Sequence, residues 1–262
     1  MICDLQKASL WKRASSFLFD VIIFAVVAIG IAALMSTILK FDERDDLIEQ
    51  RKEAYVKKYE AEYLAEHGES CELNLDLPYD EMSDGQKEIY ANVDKALRSD
   101  SSVSHAYMMV ISLSFVMITV SAMIANILLE FVVPMILGNG QTFGKKLFGL
   151  GVMRTNSVKA TPVALFIRML LGKHTIETMV PVALILMMYF GIIGIVGPIV
   201  ILGFIILEIV VVCTTHTNSM IHDLISDTVV VDIHTQMIFE SEQALIDYKK
   251  KLHEEEVSRA KY

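Results

Sequence analysis

Three blocks of apolar residues, separated by charged segments, dominate the pattern of hydrophobic and polar positions along the chain. They run from about residue 14 to 39, from about 106 to 137 and from about 175 to 213. A transmembrane helix needs about 20 mostly apolar residues, so each of the first two blocks is long enough for one crossing and the third for two. The pattern therefore predicts membrane helices rather than a water-soluble core.

The third block is interrupted at its centre by residues that favour turns. Gly191, Gly194, Gly197 and Pro198 stand close together there. A tight turn at this point divides the block into two helices of transmembrane length. We therefore predict four transmembrane helices.

Composition and charge fit an integral membrane protein and argue against some partners. Hydrophobic residues make up 53% of the 262-residue chain, and the mean hydropathy is +0.47. The formal net charge of −9 offers no concentrated basic face for nucleic-acid phosphates. The sequence has neither a nucleophile elbow nor a Cys/His spacing typical of zinc sites. We therefore expect the lipid bilayer as a partner and no nucleic acid, enzymatic activity, cofactor or metal site.

The distribution of positive charge predicts the orientation, because short cytoplasmic loops of membrane proteins are enriched in Lys and Arg. Residues 138–173 contain six Lys or Arg and no Asp or Glu, and Lys7, Lys12 and Arg13 precede the first apolar block. Both segments are expected in the cytoplasm, and an even number of crossings places the C-terminal tail there too. Residues 41–105, with 18 acids and 8 bases, are expected outside. The predicted location is the cell membrane.

The outer segment has a helical pattern of its own. Tyr55, Tyr59 and Tyr63 recur every four residues with no Gly or Pro between them, which predicts one long helix continuing outward from the first transmembrane helix. Residues 68–78 break the pattern and residues 83–98 resume it, so a helical hairpin is expected. We expect the tyrosines to pack against its second helix rather than to bind a ligand.

The cytoplasmic segments predict small elements. Thr142 is placed to cap a short amphipathic helix, and Pro162 and Gly172 are placed to begin and end another that is too short to cross the membrane. Residues 151–154 and 228–232 form short β-prone runs, the second rich in β-branched side chains, and are expected to pair as a two-stranded ribbon.

The sequence therefore predicts an all-α membrane protein, built as a four-transmembrane-helix bundle with an extracytoplasmic helical hairpin and a short cytoplasmic β-ribbon. The predicted segments are 1–40 (N-terminal segment and first transmembrane helix), 41–105 (outer hairpin), 106–137 (second transmembrane helix), 138–173 (basic loop with amphipathic helices), 174–214 (third and fourth transmembrane helices) and 215–262 (cytoplasmic motif and helical tail).

Three acids lie inside the apolar blocks, where an ionised side chain is costly unless it has a partner or water: Asp20, Glu130 and Glu208. Counted from the predicted cytoplasmic ends at 1.5 Å per residue, each lies roughly 7–11 Å deep. If their helix faces point inward, the three form a carboxylate ring that binds protons or a monovalent cation. The alternative is that they only hydrogen-bond between helices, or that some lie at the interface.

Three ordered motifs carry a resemblance to a known family. They are WKRASSFLFDVII at residues 11–23, GQTFGKKLFGLGV at residues 140–152 and HDLISDTVVV at residues 222–231. Together they resemble the RDD family of bacterial membrane proteins, which is named for one arginine and two aspartates.

The resemblance implies which residues matter. It makes Arg13, Asp20 and Asp223 the name-giving residues. Supporting candidates are His222, Arg168, Gln141, Thr142, Gly144 and Lys145. It also implies transport, since some members are proposed sodium/proton antiporters or transporters of unknown ligands. Ser226 and Asp227 depart from the small residue and glycine usual in the family, which is expected to alter the turn after Asp223.

Packing of the ribbon against the bundle would bring His222 and Asp223 toward Arg13. We expect Asp223 to pair with Arg13 or Arg168, and a gate or ion relay in which His222 titrates is the functional alternative. The leading hypothesis is a transporter or cation/proton exchanger that uses Asp20, Glu130 and Glu208. The rival is a membrane scaffold that binds partner proteins through its outer hairpin and cytoplasmic tail. Four helices are few for a monomeric pathway, so a homo-oligomer is expected.

Overall fold

The computed structural model describes residues 8–260, so Lys7 of the N-terminal basic cluster lies outside the described residues. As predicted, four helices of the described chain are long and apolar enough to span a membrane. In chain order the elements are α1 (Leu10–Leu39), α2 (Phe41–His67), α3 (Asp84–Ser99), α4 (Ser101–Leu137), α5 (Phe143–Leu147), β1 (Leu150–Arg154), α6 (Pro162–Tyr189), α7 (Val196–Thr214), α8 (Ile221–Ile225), β2 (Thr228–Asp232) and α9 (Glu242–Ala260). The four apolar helices are α1, α4, α6 and α7.

The chain divides into two compact units, one of which is Ala32–Met117. Within this unit α2 and α3 pack through a small core of Leu73, Met82, Ile89 and Val93. The tyrosine stripe of α2 packs against the same core. Ser83 begins α3 with a reciprocal capping box, and Tyr55 donates a hydrogen bond of 2.9 Å to Asp100 just after the end of α3.

The first transmembrane helix does not continue outward as one long helix, contrary to the expectation from the tyrosine pattern. Lys40 separates α1 from α2 with a left-handed backbone (φ 53°). A non-glycine residue in this conformation interrupts the hydrogen-bond ladder of a right-handed helix. The uninterrupted run of helix-forming residues gave no sign of this break.

The second unit contains the sheet and the buried charges. Strands β1 and β2 pair antiparallel, with Leu150 opposite Asp232 and Arg154 opposite Thr228. Both strands are buried along most of their length. Lys12 of α1 forms an ion pair of 2.6 Å with Asp232, which connects the beginning of α1 to the end of β2.

The third apolar helix begins earlier than predicted. Helix α6 runs without interruption from Pro162 to Tyr189, so the predicted boundary at residue 173 and the separate interfacial helix are wrong. Gly172 does not end a helix; it lies inside a π-helical stretch, Arg168–Met179. A Cβ at Gly172 would lie 2.4 Å from Cβ of His222, so the missing side chain permits helix packing.

A second π-helical stretch, Ile127–Val132, lies within α4 and carries Glu130. Pro134 follows it, yet the helix continues to Leu137. The two π-helical stretches contact each other. Single π-turns inside α-helices are frequent at functional sites, and here both stretches carry charged side chains.

Candidate functional site

Asp223 is the centre of a buried ionic network formed by α1, α6 and α8. Its side chain is fully buried, with Arg13 Nη2 2.8 Å from Oδ2 and Arg168 Nη1 2.9 Å from Oδ1. The Arg168 contact is an ion pair rather than a well-directed hydrogen bond. The backbone N–H of Met220 also donates to Oδ2, at 3.2 Å. Burial alone would raise the pKa of Asp223, but the charges of Arg168 and Arg13 hold it well below its usual range.

His222 extends this network to a second acid, Glu177. Its Nδ1 lies 2.6 Å from Glu177 Oε1, and its Nε2 lies 2.8 Å from Arg168 Nη2. A guanidinium only donates, so Nε2 accepts and the proton resides on Nδ1, where it is donated to Glu177. Burial lowers the pKa of His222, which agrees with this neutral form. The ring is therefore held in one tautomer by partners on both sides.

Asp20 holds the loop before α5 against α1. Its Oδ2 accepts from the Thr142 hydroxyl at 2.5 Å, and its Oδ1 accepts from the Gly144 backbone N–H at 2.8 Å. Lys145 Nζ lies 4.0 Å from Oδ2. A Cβ at Gly144 would lie 2.4 Å from the Ser16 carbonyl oxygen and 2.9 Å from the Asp20 carboxyl carbon. The glycine is required for this close approach, and Thr142 and Gly144 therefore act as partners of Asp20.

Glu130 forms an ion pair with Lys173 across the two π-helical stretches. Lys145 lies close enough to both side chains to interact with their charges. Burial lowers the pKa of Lys145 to about 8, although the negative charge of Glu130 opposes the shift. Two lysines thus compensate Asp20 and Glu130, and the proximity of the lysines to each other favours loss of a proton from Lys145.

A cavity of about 230 Å³ opens beside these residues. Its charged lining residues are Asp20, Glu130, Lys173 and Glu177. The side chains of Asp20 and Glu130 are 11% and 10% exposed, so each keeps some access to the cavity. Glu208 does not line it. The structure therefore brings together two of the three predicted carboxylates and places the third elsewhere.

Glu208 and Gln141 have different surroundings. Both carboxylate oxygens of Glu208 are buried, and neither has a hydrogen-bond partner. The Gln141 amide donates to the Leu150 carbonyl oxygen at 2.7 Å, so it supports the sheet rather than the cavity. Among residues 8–260, no three His, Cys, Asp or Glu side chains converge as a metal-binding group.

Two site residues were missed in the sequence. The sequence pattern places Lys173 in a cytoplasmic loop and gives Glu177 no role, because Gly172 before them resembles a helix end. Had the helix been extended from Pro162, both would have appeared as charges four residues apart inside an apolar helix. That spacing places them on one helix face.

Fold and site define the class: an integral membrane protein, mostly helical, in which an ion pair between two apolar helices lies beside a cavity. The RDD family profile matches residues 7–227, most of the chain, and the chain belongs to the RDD family. The matched region contains Arg13, Asp20 and Asp223. No curated protein and no solved structure matches the chain.

Ser226 and Asp227, the two departures from the family pattern after Asp223, form the turn between α8 and β2. Asp227 has a left-handed conformation (φ 50°), which glycine adopts freely and aspartate tolerates better than most residues. Ser226 donates to the His222 carbonyl oxygen at 2.8 Å. Asp227 therefore occupies a backbone conformation that glycine would also permit.

Proposed function

We propose that this protein is a transporter that exchanges a monovalent cation for protons through the cavity lined by Asp20 and Glu130. The observation that carries the proposal is the cavity itself: carboxylates from two different apolar helices line it, and each keeps about a tenth of its side chain exposed. Ionisable groups inside membrane helices commonly mark ion or proton pathways.

The mechanism follows from competition for the same oxygens. Asp20 and Glu130 are compensated by Lys145 and Lys173, so an entering cation has to displace an ammonium group or arrive when one has lost its proton. Glu208 is the proton-holding group in this proposal, because a buried carboxylate with no hydrogen-bond partner is costly while ionised. Alternating occupation of Asp20 and Glu130 by protons and a cation, with Glu208 holding a proton outside the cavity, then couples the two fluxes.

The proposed topology has four crossings, with both termini and residues 138–161 in the cytoplasm and residues 41–100 outside. The basic residues within α5 and at and after the end of β1 support it through the bias of cytoplasmic loops toward Lys and Arg. A pathway formed by four helices per chain is narrow, so we propose a homo-oligomer as the transporting form.

The experiment is proton movement in proteoliposomes that contain purified protein and a pH-sensitive dye. Gradients of sodium, potassium and choline are imposed in turn, and at least one of them should drive proton movement in the wild type. Loss of a charged partner costs about 1.5–3 kcal/mol, so Asp20→Asn and Glu130→Gln should each slow it at least about tenfold. Glu208→Gln removes the proposed proton-holding group and should abolish cation-dependent proton movement. Glu240→Gln neutralises an exposed acid and is the matched control. A folded wild type that moves no protons under any cation gradient contradicts the proposal.

A scaffold is the second candidate, and the separate compact unit Ala32–Met117 favours it. Replacement of residues 41–100 by a flexible linker distinguishes the two functions. The exchanger should retain cation-dependent proton movement, whereas a scaffold should lose its cellular function while Asp20→Asn leaves that function intact.

A further inference from the structure

The cavity is lined by two kinds of side chain, apolar and charged. Its apolar lining includes three phenylalanines, Phe17, Phe24 and Phe143, together with Leu129 and Val182. The charged lining consists of three carboxylates and one ammonium. The cavity thus combines excess negative charge with aromatic and aliphatic surface.

We infer that the cation taken by this cavity is an alkylated ammonium group rather than a bare alkali ion. The inference rests on the proposed function, because it names the class of cation for the same cavity. Aromatic faces attract alkylated ammonium groups, and cages of aromatic side chains are the usual recognition device for quaternary ammonium ligands. The carboxylates supply the opposite charge, and the aliphatic walls accommodate the alkyl carbons.

The carboxylate contacts argue against a tightly coordinated metal ion. Both oxygens of Asp20 already accept hydrogen bonds, from Thr142 and Gly144, and Glu130 is paired with Lys173. A bare ion needs several oxygens directed at one point, and within the described part of the chain no such convergence of acids is found. An alkylated ammonium needs only nearby negative charge, which leaves those hydrogen bonds in place.

Size points to a small ligand. Pockets for drug-sized molecules are about 300–1,000 Å³, and this cavity has about 230 Å³. A group of the size of choline suits it. The same chemistry occurs in a free choline-like solute and in the headgroup of phosphatidylcholine, so the source of the ligand has to be distinguished by experiment.

The test measures choline binding to the purified full-length protein in nanodiscs of phosphatidylglycerol by isothermal titration calorimetry. The probe 3,3-dimethylbutan-1-ol has the shape of choline without its charge, and it should bind at least about tenfold more weakly. Phe17→Leu should weaken choline binding about 2- to 30-fold, the range expected for loss of one cation–π contact. Phe19→Leu, on the same helix but outside the cavity, is the matched control and should not change it.

A second arm repeats the titration in nanodiscs that contain phosphatidylcholine. Competition by the lipid assigns the site to a headgroup, and unchanged affinity assigns it to a free solute; either supports an alkylated ammonium ligand. Equal binding of the uncharged probe, no choline binding, or equal effects of Phe17→Leu and Phe19→Leu overturns the inference. Sodium-driven proton movement without choline binding would overturn only the inference, whereas choline binding without any proton movement would overturn only the exchange.

Discussion

Neutralising Asp223 should destabilise the protein more than neutralising any exposed acid. Asp223→Asn keeps the shape of the side chain but removes the charge that faces Arg13 and Arg168, at 2.8 and 2.9 Å. Both guanidinium groups are also nearly buried, so water cannot replace the lost partner. Breaking a buried ion pair in this way costs about 3–5 kcal/mol. The amide oxygen can still accept one hydrogen bond, so we expect a loss near the lower limit.

The assay is thermal unfolding of detergent-purified protein, followed by size-exclusion chromatography. One kcal/mol corresponds to about 2–4 °C for a chain of this size, so a midpoint about 10 °C lower is expected. Glu240→Gln breaks an exposed pair with Lys159 and should cost only about 0–1 kcal/mol. Adding Arg13→Gln to Asp223→Asn should recover part of the loss, because it removes one uncompensated charge.

The pH dependence gives an independent check. The pKa of Asp223 is lower in the folded protein than its ordinary value of 3.8, so its contribution is complete above that value and is lost as pH falls through the folded pKa. The difference in stability between wild type and Asp223→Asn should therefore be constant from neutral pH to about pH 5. Equal midpoints for Asp223→Asn and Glu240→Gln, or a difference that disappears by pH 5, would refute the ion-pair argument.

Two further predictions concern the helix contacts and the buried lysine. Gly172→Ala places a Cβ 2.4 Å from His222 and should lower the free energy of unfolding by about 1–3 kcal/mol. Gly203→Ala, with open space around it, is the control and should be neutral or stabilising. Equal effects of the two substitutions would contradict the packing argument. Because the pKa of Lys145 is about 8 in the folded protein and 10.5 in the unfolded chain, stability should rise between these pH values as the unfolded chain loses its extra proton. Lys145→Met should flatten that rise in thermal unfolding, and an unchanged slope would refute it.

The parts of the fold that follow from residue patterns were predictable. Long apolar stretches identify helices because backbone N–H and C=O groups in lipid have no water to bond, and a helix satisfies them all within one segment. The central turn at Gly191 and Gly194 follows from positive φ angles that glycine adopts readily. The two β-prone segments pair as antiparallel strands, as their composition predicts. In each case a local rule and the global structure agree.

The errors arose where a residue has two possible roles. Gly172 resembles a helix C-cap in sequence, but in the structure it allows close approach of α8, and only the tertiary contact distinguishes these. Glu208 was grouped with Asp20 and Glu130 by depth along the helices. Depth says nothing about rotation about the helix axis, and Glu208 does not line the cavity. Which acids share a cavity is a tertiary property that no spacing of three separate helices determines.

The two groups of buried charges have different exposure, and this difference separates structural from functional candidates. Asp223 is completely buried and compensated by two arginines. Arginine does not lose its charge at any physiological pH, so neither a proton nor another cation can take its place beside Asp223. Asp20 and Glu130 face a cavity and are compensated by lysines, one of which has a pKa of about 8. A buried ion pair adds little stability over apolar packing of the same shape. A charge pair that faces a cavity and can lose a proton near neutral pH therefore supports the proposed exchange more than a purely structural role.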